Sequence, residues 1–517
     1  MRDRGKLNFF KESLLDSTDE LVEIIQYSLN KNFKTQQSKK YWEIVFRESV
    51  MRTQNLNILY KYLKDGEINI LNPTLEVPIN MKKLIKLSNS MTMHGTVKVL
   101  KMKYKTGEKI HKSEVIVRNQ DKIQSIKMII KISNFFNFFF KKKIVLDFIN
   151  LKLYIMLNLK GYGVYCLNSH KTINQNKYNI HLRSEIYKIG LEVIKDSFIK
   201  ECWFIIIHSL PISLIENFLE NKKKSETINI PSKKIILSNL RKSEINSIRL
   251  AKKIAYENVQ LEFYQYGAGI GNQKFLNEYN KHEIEISDRY YIWCKPDLLT
   301  TSENIKRHKS KCIQIPILKK PIKKSNFIEN IVLINTSYTY YQKLDNSPVL
   351  EQVKKHFDSQ VNFSKIIKKK FNNFYIKDQS YQHEKFDKMK IYKENDLISF
   401  ITNINVDILS KNSLMVCSYL GTTFLELMAN DIPNVLIFKP GICKNSDAFA
   451  ESIQEMKKFN FIYYHEKNAA NFIIKNYSNL FNLWNDEKFA ECRKIFRNNF
   501  CKNSDSWQTD FCEKILN

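Results

Sequence analysis

The stretch LMVCSYLGTTFLELMANDIPNVLIF, residues 414–438, restricts the fold more than any other part of the chain. An apolar run ends at Ser418, and a short turn leads into a segment with helical periodicity. A second apolar run follows Pro433. Two buried strands joined by a helix are expected to lie parallel in one sheet, because the helix returns the chain to the starting edge. The stretch therefore predicts a parallel sheet covered by helices.

The same alternation occurs elsewhere and predicts two such domains. Residues 17–64 and 119–220 have mainly helical patterns, and from about residue 233 apolar strands alternate with helices. Residues 309–328 contain Pro316 and Pro321 without a clear period, which is typical of a linker. We therefore predict an N-terminal domain, a linker and a C-terminal domain, at residues 1–310, 311–328 and 329–517. Ligands of parallel α/β sheets bind beyond the carboxyl ends of the strands, so a cleft is expected there.

Composition excludes some classes of protein. Hydrophobic residues make up 43% of the 517 residues, which excludes general disorder. The formal net charge is +30, but the basic runs are short and scattered, so charge alone does not favour nucleic acid as the partner. The nine cysteines form no CxxC pair and no zinc-like spacing with histidine. Reduced thiols, a cytoplasmic location and no signal peptide are the expectations.

The helix start near residue 422 has two interpretations. Thr422 or Thr423 can cap the helix, and Thr423 with Glu426 has the spacing of a capping box. The same helix start, placed at the carboxyl end of a strand that finishes at Ser418, offers free amides and a positive dipole to a phosphate group. The chain has neither a Walker lysine motif nor GxGxxG, so neither a P-loop nor a standard dinucleotide site is predicted.

A glycine cluster follows another predicted strand. Only twelve glycines occur in the chain, and three of them fall within five residues: Gly267, Gly269 and Gly271. Such a loop is either a mobile surface loop or one that lets the backbone approach a ligand closely. Gln265 and Tyr266 stand at the end of the preceding strand, where side chains are expected to face the cleft.

A third candidate segment, NKHEIEISDRYYIWCKPD, comes directly after the glycine cluster. It contains His282, Glu283 and Asp288. Either carboxylate could serve as a general base. Carboxylates on a strand are also commonly just solvated, and the residue types alone leave both interpretations open.

At these residues the chain resembles a family of transferases from bacterial surface-carbohydrate loci, such as O-antigen and capsule clusters. The family is similar to the two-domain GT-B glycosyltransferases. The resemblance is specific in residues 414–438 and in the C-terminal stretch WNDEKFAECRKIFRNNFCKNS, and it is looser toward the N-terminus. It implies an α/β, GT-B-like fold: two Rossmann-type domains facing a cleft, with helical N-terminal additions.

The resemblance also implies site residues. Donor-binding positions would be Ser418, Gly421, Thr422, Thr423 and Glu426. Positions facing the cleft would be Gln265, Gly267, Gly269, Asp288, Thr336 and Ser337. Glu283 and Tyr266 complete the catalytic candidates, and Gly271 completes the candidates for the binding loop. The family's glycine loop resembles Gln-His-Gly-Gly, so Tyr266 stands here in the histidine place and Ala268 in a glycine place.

The implied activity is glycosyl transfer from a nucleotide-sugar donor to a lipid-linked or oligosaccharide acceptor. No metal and no separate cofactor are expected, since the nucleotide sugar is a substrate. Two alternatives stay open: a phosphotransferase that uses a CDP-linked polyol, and a non-catalytic relative that binds nucleotide or acts as a scaffold. A cytoplasmic protein with a peripheral contact to the inner face of the membrane is the expected setting, without nucleic acid as a partner.

Overall fold

A computed structural model gives the fold of the chain. It describes residues 4–47, 49–51, 137–148, 150–167, 177–228, 230–240, 244–273, 278–299, 308–319, 321–322, 326–335, 350–377, 391–392, 394–395, 397, 400–401, 406–438 and 445–517.

Six parallel strands form the first sheet, in the spatial order β2-β1-β3-β4-β5-β6. They are β1 Lys142–Leu146, β2 Tyr162–Cys166, β3 Lys234–Leu237, β4 Gln260–Tyr264, β5 Arg289–Ile292 and β6 Cys312–Gln314.

Six more parallel strands form the second sheet, in the order β12-β11-β10-β7-β8-β9. They are β7 Asn330–Ile334, β8 Phe374–Lys377, β9 Phe400–Ile401, β10 Ser413–Cys417, β11 Asn434–Ile437 and β12 Ile462–Tyr463.

Helices connect and cover the strands. In the first half they are α1 Arg4–Phe33, α2 Leu151–Leu159, α3 Ile180–Leu191, α4 Ser197–Ser209, α5 Phe218–Glu226, α6 Glu244–Tyr256 and α7 Glu278–Ile286. In the second half they are α8 Leu350–Lys368, α9 Val406–Leu409, α10 Thr422–Ala429, α11 Asp447–Lys457, α12 Glu466–Asn476, α13 Leu480–Trp484, α14 Glu487–Phe500 and α15 Trp507–Leu516. Short 3-10 turns lie at Asn137–Phe139, Ile212–Leu214, Pro296–Leu298, Lys309–Lys311, Ser410–Asn412 and Tyr477–Asn479.

The central strands are apolar along their whole length because helices cover both faces of each sheet. Every residue of β10 and β11 is buried, and β7 is buried from its second residue onward. A strand covered on one face would alternate between apolar and polar residues, whereas these runs are almost continuous. The predicted α/β class with two parallel, Rossmann-type sheets is thus confirmed.

The helical N-terminal addition is present as well. Helix α1 packs against α3 of the first half, with Leu21, Val22 and Ile25 fully buried. A second helical segment, residues 39–47, contributes the buried Trp42. No helix in the described part of the chain has the length and apolar character needed to cross a membrane.

Two strands lie in the part that the sequence predicted to be mainly helical. β1 and β2 form one edge of the first sheet, before residue 233, where we expected the alternation to begin. Five-residue strands flanked by lysine and aromatic residues are too short for their period to be separated from that of a helix.

The sheet boundaries also differ from the predicted domain boundaries. β6 pairs with β5 although its residues fall inside the predicted linker, 311–328. At the other end, α15 leaves the second half and packs against α2 and the first sheet. The chain therefore crosses between the two sheets twice. Periodicity shows that a segment is a helix or a strand, but it does not show which sheet the segment joins.

Candidate functional site

Each sheet has one topological switch point, where consecutive connections leave in opposite directions. In the first sheet it lies between β1 and β3, because the chain passes from β1 outward to β2 and then returns to the other side of β1. In the second sheet it lies between β7 and β10 for the same reason. Ligands of open parallel sheets bind in the crevice at this point, beyond the carboxyl ends of the strands.

The switch point of the first sheet holds a hydrogen-bonded carboxylate, Asp147. It follows β1 directly, and its Oδ2 accepts hydrogen bonds from the backbone N–H of Ser238 at 2.7 Å and from the Ser238 hydroxyl at 2.6 Å. Its Oδ1 accepts a hydrogen bond from the Tyr264 hydroxyl at 2.8 Å. The three residues stand at the carboxyl ends of β1, β3 and β4, so the carboxylate is held in one orientation at the sheet edge.

The sequence prediction missed Asp147. The signal was present as an aspartate directly after the apolar run KKIVL. Because that run was assigned to a helical region, its end was not recognised as the carboxyl edge of a sheet.

The switch point of the second sheet holds Ser418, which ends an apolar run in the sequence. Ser418 follows β10 and is buried, and its hydroxyl donates to the carbonyl oxygen of Ile334, the last residue of β7, at 3.1 Å. Asn335 follows β7 and is also buried. The next two predicted site residues, Thr336 and Ser337, lie outside the described residues.

Gln265 fixes the glycine loop from inside the protein. Its side chain is buried, the amide nitrogen donates to the carbonyl of Gly267 at 2.8 Å, and the amide oxygen accepts from the Trp293 N–H at 2.8 Å. In place of the cleft-facing role expected from the resemblance, one end of this amide bonds the loop and the other bonds the backbone just after β5. Tyr266, the next residue, projects outward with 77% of its surface exposed.

The glycine loop touches the start of α10 in the second half of the chain. The Ala268 N–H donates to the Thr422 hydroxyl at 2.9 Å. A side-chain carbon at Gly267 would stand 3.1 Å from the same hydroxyl oxygen, so there is little room for a larger residue. Two segments that the sequence identified separately, about 150 residues apart, therefore meet at one point.

The rest of the loop packs against the start of α11. Ser446, the N-cap of α11, donates its hydroxyl to the Gly271 carbonyl at 2.6 Å and its N–H to the Asn272 carbonyl at 3.1 Å. Gln273 and Asn445 add an antiparallel bridge. The loop was predicted to be either a mobile surface loop or a ligand cradle, and in the structure it forms a joint between the two halves.

Helix α10 is not capped as the sequence predicted. Gly421 is the N-cap, with extended backbone, and among the described residues no side chain makes a capping hydrogen bond at this helix start. Thr422 is the first helical residue and its hydroxyl accepts the Ala268 N–H, while Thr423 follows it and is buried. The predicted capping box of Thr423 and Glu426 does not form, because the helix begins at Thr422, two residues before the Phe424 start that a Thr423 cap requires. The first N–H groups of α10 lack intrahelical acceptors by helical geometry.

Glu426 is paired with a lysine instead. Its carboxylate lies 2.6 Å from the Lys319 ammonium group, which comes from the segment crossing between the sheets. Burial raises the pKa of the Glu426 carboxyl, and Lys319 opposes that shift. Because more than half of the Lys319 side chain is exposed, water screens this ion pair.

Asp288 and Glu283 lie away from this joint. Asp288 precedes β5 and accepts the N–H of Leu261, the second residue of β4, at 2.8 Å. It is thus at the amino edge of the sheet, whereas the glycine loop leaves the carboxyl edge. Glu283 lies on α7, not on a strand as the sequence suggested, and accepts a hydrogen bond from the buried Tyr290 hydroxyl at 3.2 Å. The structure does not bring either carboxylate to the glycine loop.

A short stretch of chain links the two switch points through two hydrogen bonds. Tyr264 contacts Asp147 of the first sheet, and Ala268 contacts Thr422 of the second half. Four residue steps separate Tyr264 from Ala268, and four extended residues span at most about 14 Å. Tyr266 stands midway along this connection. A carboxylate, an exposed phenol and a helix N-terminus are therefore linked through one short stretch of chain.

No group of three or more His, Cys, Asp or Glu residues in the described ranges is placed to hold a metal ion. The expectation of a reaction without a metal or a separate cofactor stays a prediction.

Comparison with solved structures gives distant likenesses. MnaA of S. aureus with UDP is 10% identical, with a TM-score of 0.38, over 73% of this chain and 95% of that chain. LpCGTa in complex with UDP is 9% identical, with a TM-score of 0.34, over 73% and 99%. The wall teichoic acid polymerase TagF with CDPG is 12% identical, with a TM-score of 0.33, over 77% and 95%. At such TM-scores these likenesses add no weight to the sheet topology.

A comparison with curated proteins finds no match. The family model described as LIC12162 family transferase matches residues 84–515, which is most of the chain and spans both sheets. The chain therefore belongs to the LIC12162 family of transferases.

Proposed function

We propose that this transferase is a glycosyltransferase that moves a sugar from a nucleotide-sugar donor to an acceptor hydroxyl group. The observation that carries the proposal is the meeting of the two carboxyl sheet edges, where Ala268 of the glycine loop contacts Thr422 at the start of α10. A reaction between two substrates needs both held in one cleft. Here each sheet contributes one switch point to that cleft.

The second sheet is the proposed donor side. The amides at the start of α10 and the positive end of its dipole would bind the donor diphosphate. The Thr422 hydroxyl accepts the Ala268 N–H, and its own hydrogen can still be donated to a phosphate oxygen. Ser418 and Gly421 border this position, and Glu426 with Lys319 lies one turn along the helix. The leaving diphosphate would be stabilised by the same amides.

The first sheet is the proposed acceptor side. Asp147, held by Ser238 and Tyr264, would accept a hydrogen bond from the attacking hydroxyl and take its proton. The acceptor oxygen then bonds to the sugar carbon, and the bond from that carbon to the donor phosphate breaks. The nucleotide leaves with that electron pair. The exposed Tyr266 ring would border the acceptor.

The proposed setting is surface polysaccharide biosynthesis, with a lipid-linked or oligosaccharide acceptor. The eight cysteines in the described residues are free, which fits the reducing cytoplasm where we propose that the enzyme works.

The test is thermal unfolding of the full chain with CMP-, CDP-, UDP- and GDP-linked sugars, and with a CDP-linked polyol, at fixed moderate salt. Saturation at about 100 times Kd should stabilise the protein by about 2.7 kcal/mol. We expect one base to do so. Thr422→Ala should lose the shift and Thr422→Ser should keep it, because serine retains the hydroxyl group. Thr227→Ala, at the exposed end of α5, is the matched control and should behave like the unchanged protein.

Two outcomes would redirect the proposal. If no donor shifts the midpoint of a folded protein, the proposed function is wrong and a scaffold role is favoured. If a CDP-linked polyol stabilises the protein and the product contains phosphorus, the enzyme is a polyol phosphotransferase.

A further inference from the structure

Helix α2, which connects β1 to β2, exposes a row of apolar side chains. Leu151, Ile155 and Leu159 are 56%, 50% and 81% exposed. Their spacing of four residues places them on one face of the helix. The opposite face is buried through residues such as Leu153 and Leu157, so the helix is packed against the protein and still apolar on its outer side.

These three side chains form a continuous row, unlike single apolar residues scattered over a protein surface. Eight residue steps separate Leu151 from Leu159, a length of about 12 Å along a helix. Single exposed apolar residues are ordinary, whereas a contiguous apolar patch indicates an interaction surface. We call Leu151, Ile155 and Leu159 the α2 row.

Phe139 is a further exposed apolar side chain beside the same edge strand. It is 72% exposed and belongs to the 3-10 turn Asn137–Phe139, which contacts β2, as α2 also does. The Asn137 side-chain amide donates to the Val164 carbonyl in β2 and accepts a hydrogen bond from the Val164 N–H. These two bonds fix the turn to the sheet. Phe139 is therefore held outward by a rigid element.

The segment that carries the row is positively charged, while α15, which packs against α2, brings the carboxylates of Asp510 and Glu513 to the same part of the molecule. Residues 137–184 contain seven lysines, and Asp147 is the one acidic residue among them. Its carboxylate is engaged by Ser238 and Tyr264. Exposed lysines flank the apolar surface at both ends: Lys141, Lys142, Lys152 and Lys160. Apolar side chains surrounded by lysine match the interface of an anionic bilayer, where acyl chains and headgroups lie side by side.

The row also begins next to the proposed acceptor side. Leu151 lies four residues after Asp147, so the amino end of α2 is at the carboxyl edge of the first sheet. A surface that rested there on a bilayer would bring the cleft close to the headgroup layer.

We propose that the α2 row, with Phe139 and the flanking lysines, docks the protein peripherally on the surface of an anionic phospholipid bilayer. The docking does not depend on the transfer reaction. Lipid binding and donor binding are separate measurements, so either proposal can fail while the other holds.

The test is sedimentation of the full chain with vesicles of phosphatidylcholine alone and of phosphatidylcholine with phosphatidylglycerol at 3:1. We expect binding to the anionic vesicles and much weaker binding to the neutral ones, decreasing with added salt. The triple variant Leu151→Ser, Ile155→Ser, Leu159→Ser should reduce the vesicle partition coefficient about tenfold or more. Lys141→Gln with Lys142→Gln should also reduce it, and only for the anionic vesicles.

The matched controls are Leu219→Ser and Ile495→Ser, whose side chains are 52% and 54% exposed on other helices. They should bind vesicles like the unchanged protein, and the thermal midpoint of each variant confirms that it is folded. The proposal is overturned if the unchanged protein does not bind anionic vesicles. It is also overturned if the triple variant binds as well as the controls, or if light scattering shows a dimer that the triple variant dissociates, because a second copy would then cover the row.

Discussion

Gly271 shows how one residue joins the loop to both halves of the chain. Its φ is +85°, and a side-chain carbon there would stand 2.4 Å from the sulfur of Cys294. Its carbonyl meanwhile accepts the Ser446 hydroxyl from the second half. The sequence identified the glycine as exceptional only because glycine is rare in this chain. The reason, a close contact with a cysteine 23 positions later, is tertiary.

Gly271→Ala should therefore lower the free energy of unfolding by more than backbone strain alone would. Alanine at a positive φ costs about 1 kcal/mol, and overpacking against Cys294 adds about 2 kcal/mol more. We expect the free energy of unfolding in urea to fall by about 3 kcal/mol.

The control for this prediction is Gly161→Ala. Gly161 has a nearly identical φ of +83°, and no atom of the residues that the structure describes lies within 4 Å of its missing side-chain carbon. The Gly161→Ala variant should lose only about 1 kcal/mol of unfolding free energy, because it adds backbone strain without a steric contact. Equal losses for the two variants would mean that Cys294 moves aside without cost.

At the scale of elements, a buried polar cluster joins α3 to α4 in the first half. Arg183 of α3 is fully buried and binds Glu216 through two hydrogen bonds, at 2.6 and 2.7 Å. His208 of α4 bonds the Tyr178 hydroxyl. Burial, and next the Arg183 charge, lower the pKa of His208 to about 4.

The shift of His208 predicts loss of stability in acid. The unfolded histidine, with its ordinary value of 6.5, binds a proton between pH 6.5 and 4, and the folded one does not. The contribution is thus fully present above pH 6.5 and is lost as the pH falls toward 4, on the order of 3 kcal/mol. His208→Asn should be less sensitive to acid over this range, measured by urea unfolding at pH 7, 5.5 and 4.5.

A second buried histidine, His282, does not disturb the comparison between the unchanged protein and His208→Asn. Burial also lowers its pKa, to about 3, and it is the same in both proteins, so the difference between them isolates His208. Parallel pH dependences of the two proteins would contradict the assignment.

At the scale of the whole molecule, α15 ties the end of the chain to the first sheet. Phe511 is fully buried against Tyr291 and Tyr264, with ring centres 5.3 and 6.2 Å away. The Lys234 ammonium group donates to the Ile515 carbonyl at 2.7 Å. The last helix thus completes the core of the half in which the chain began.

Phe511→Ala should destabilise the first sheet by about 3–5 kcal/mol, because it leaves a cavity among aromatic rings. Hydrogen exchange should accelerate in β4 and β5 and change little in β10 and β11. Phe327→Ala, at a side chain that is 58% exposed, is the control and should change stability by less than about 0.5 kcal/mol. Equal acceleration in both sheets would mean that the two halves unfold as one unit.

The class of the fold and half of the proposed site follow from local patterns in the chain. The runs LMVCS and NVLIF are apolar throughout because strands between two helical layers have no face in water, and this property is local. The helix start at Thr422 and the glycine cluster were found in the same way, from residue types at short spacing.

The contacts that these segments make come from the packing of the folded chain. It placed the glycine loop on Thr422, moved Asp288 to the opposite edge of the sheet and brought Asp147 beside Ser238, 91 positions later. Strand order, sheet membership and edge come from packing between residues far apart in the chain. A local sequence pattern does not specify which distant element will pack against it.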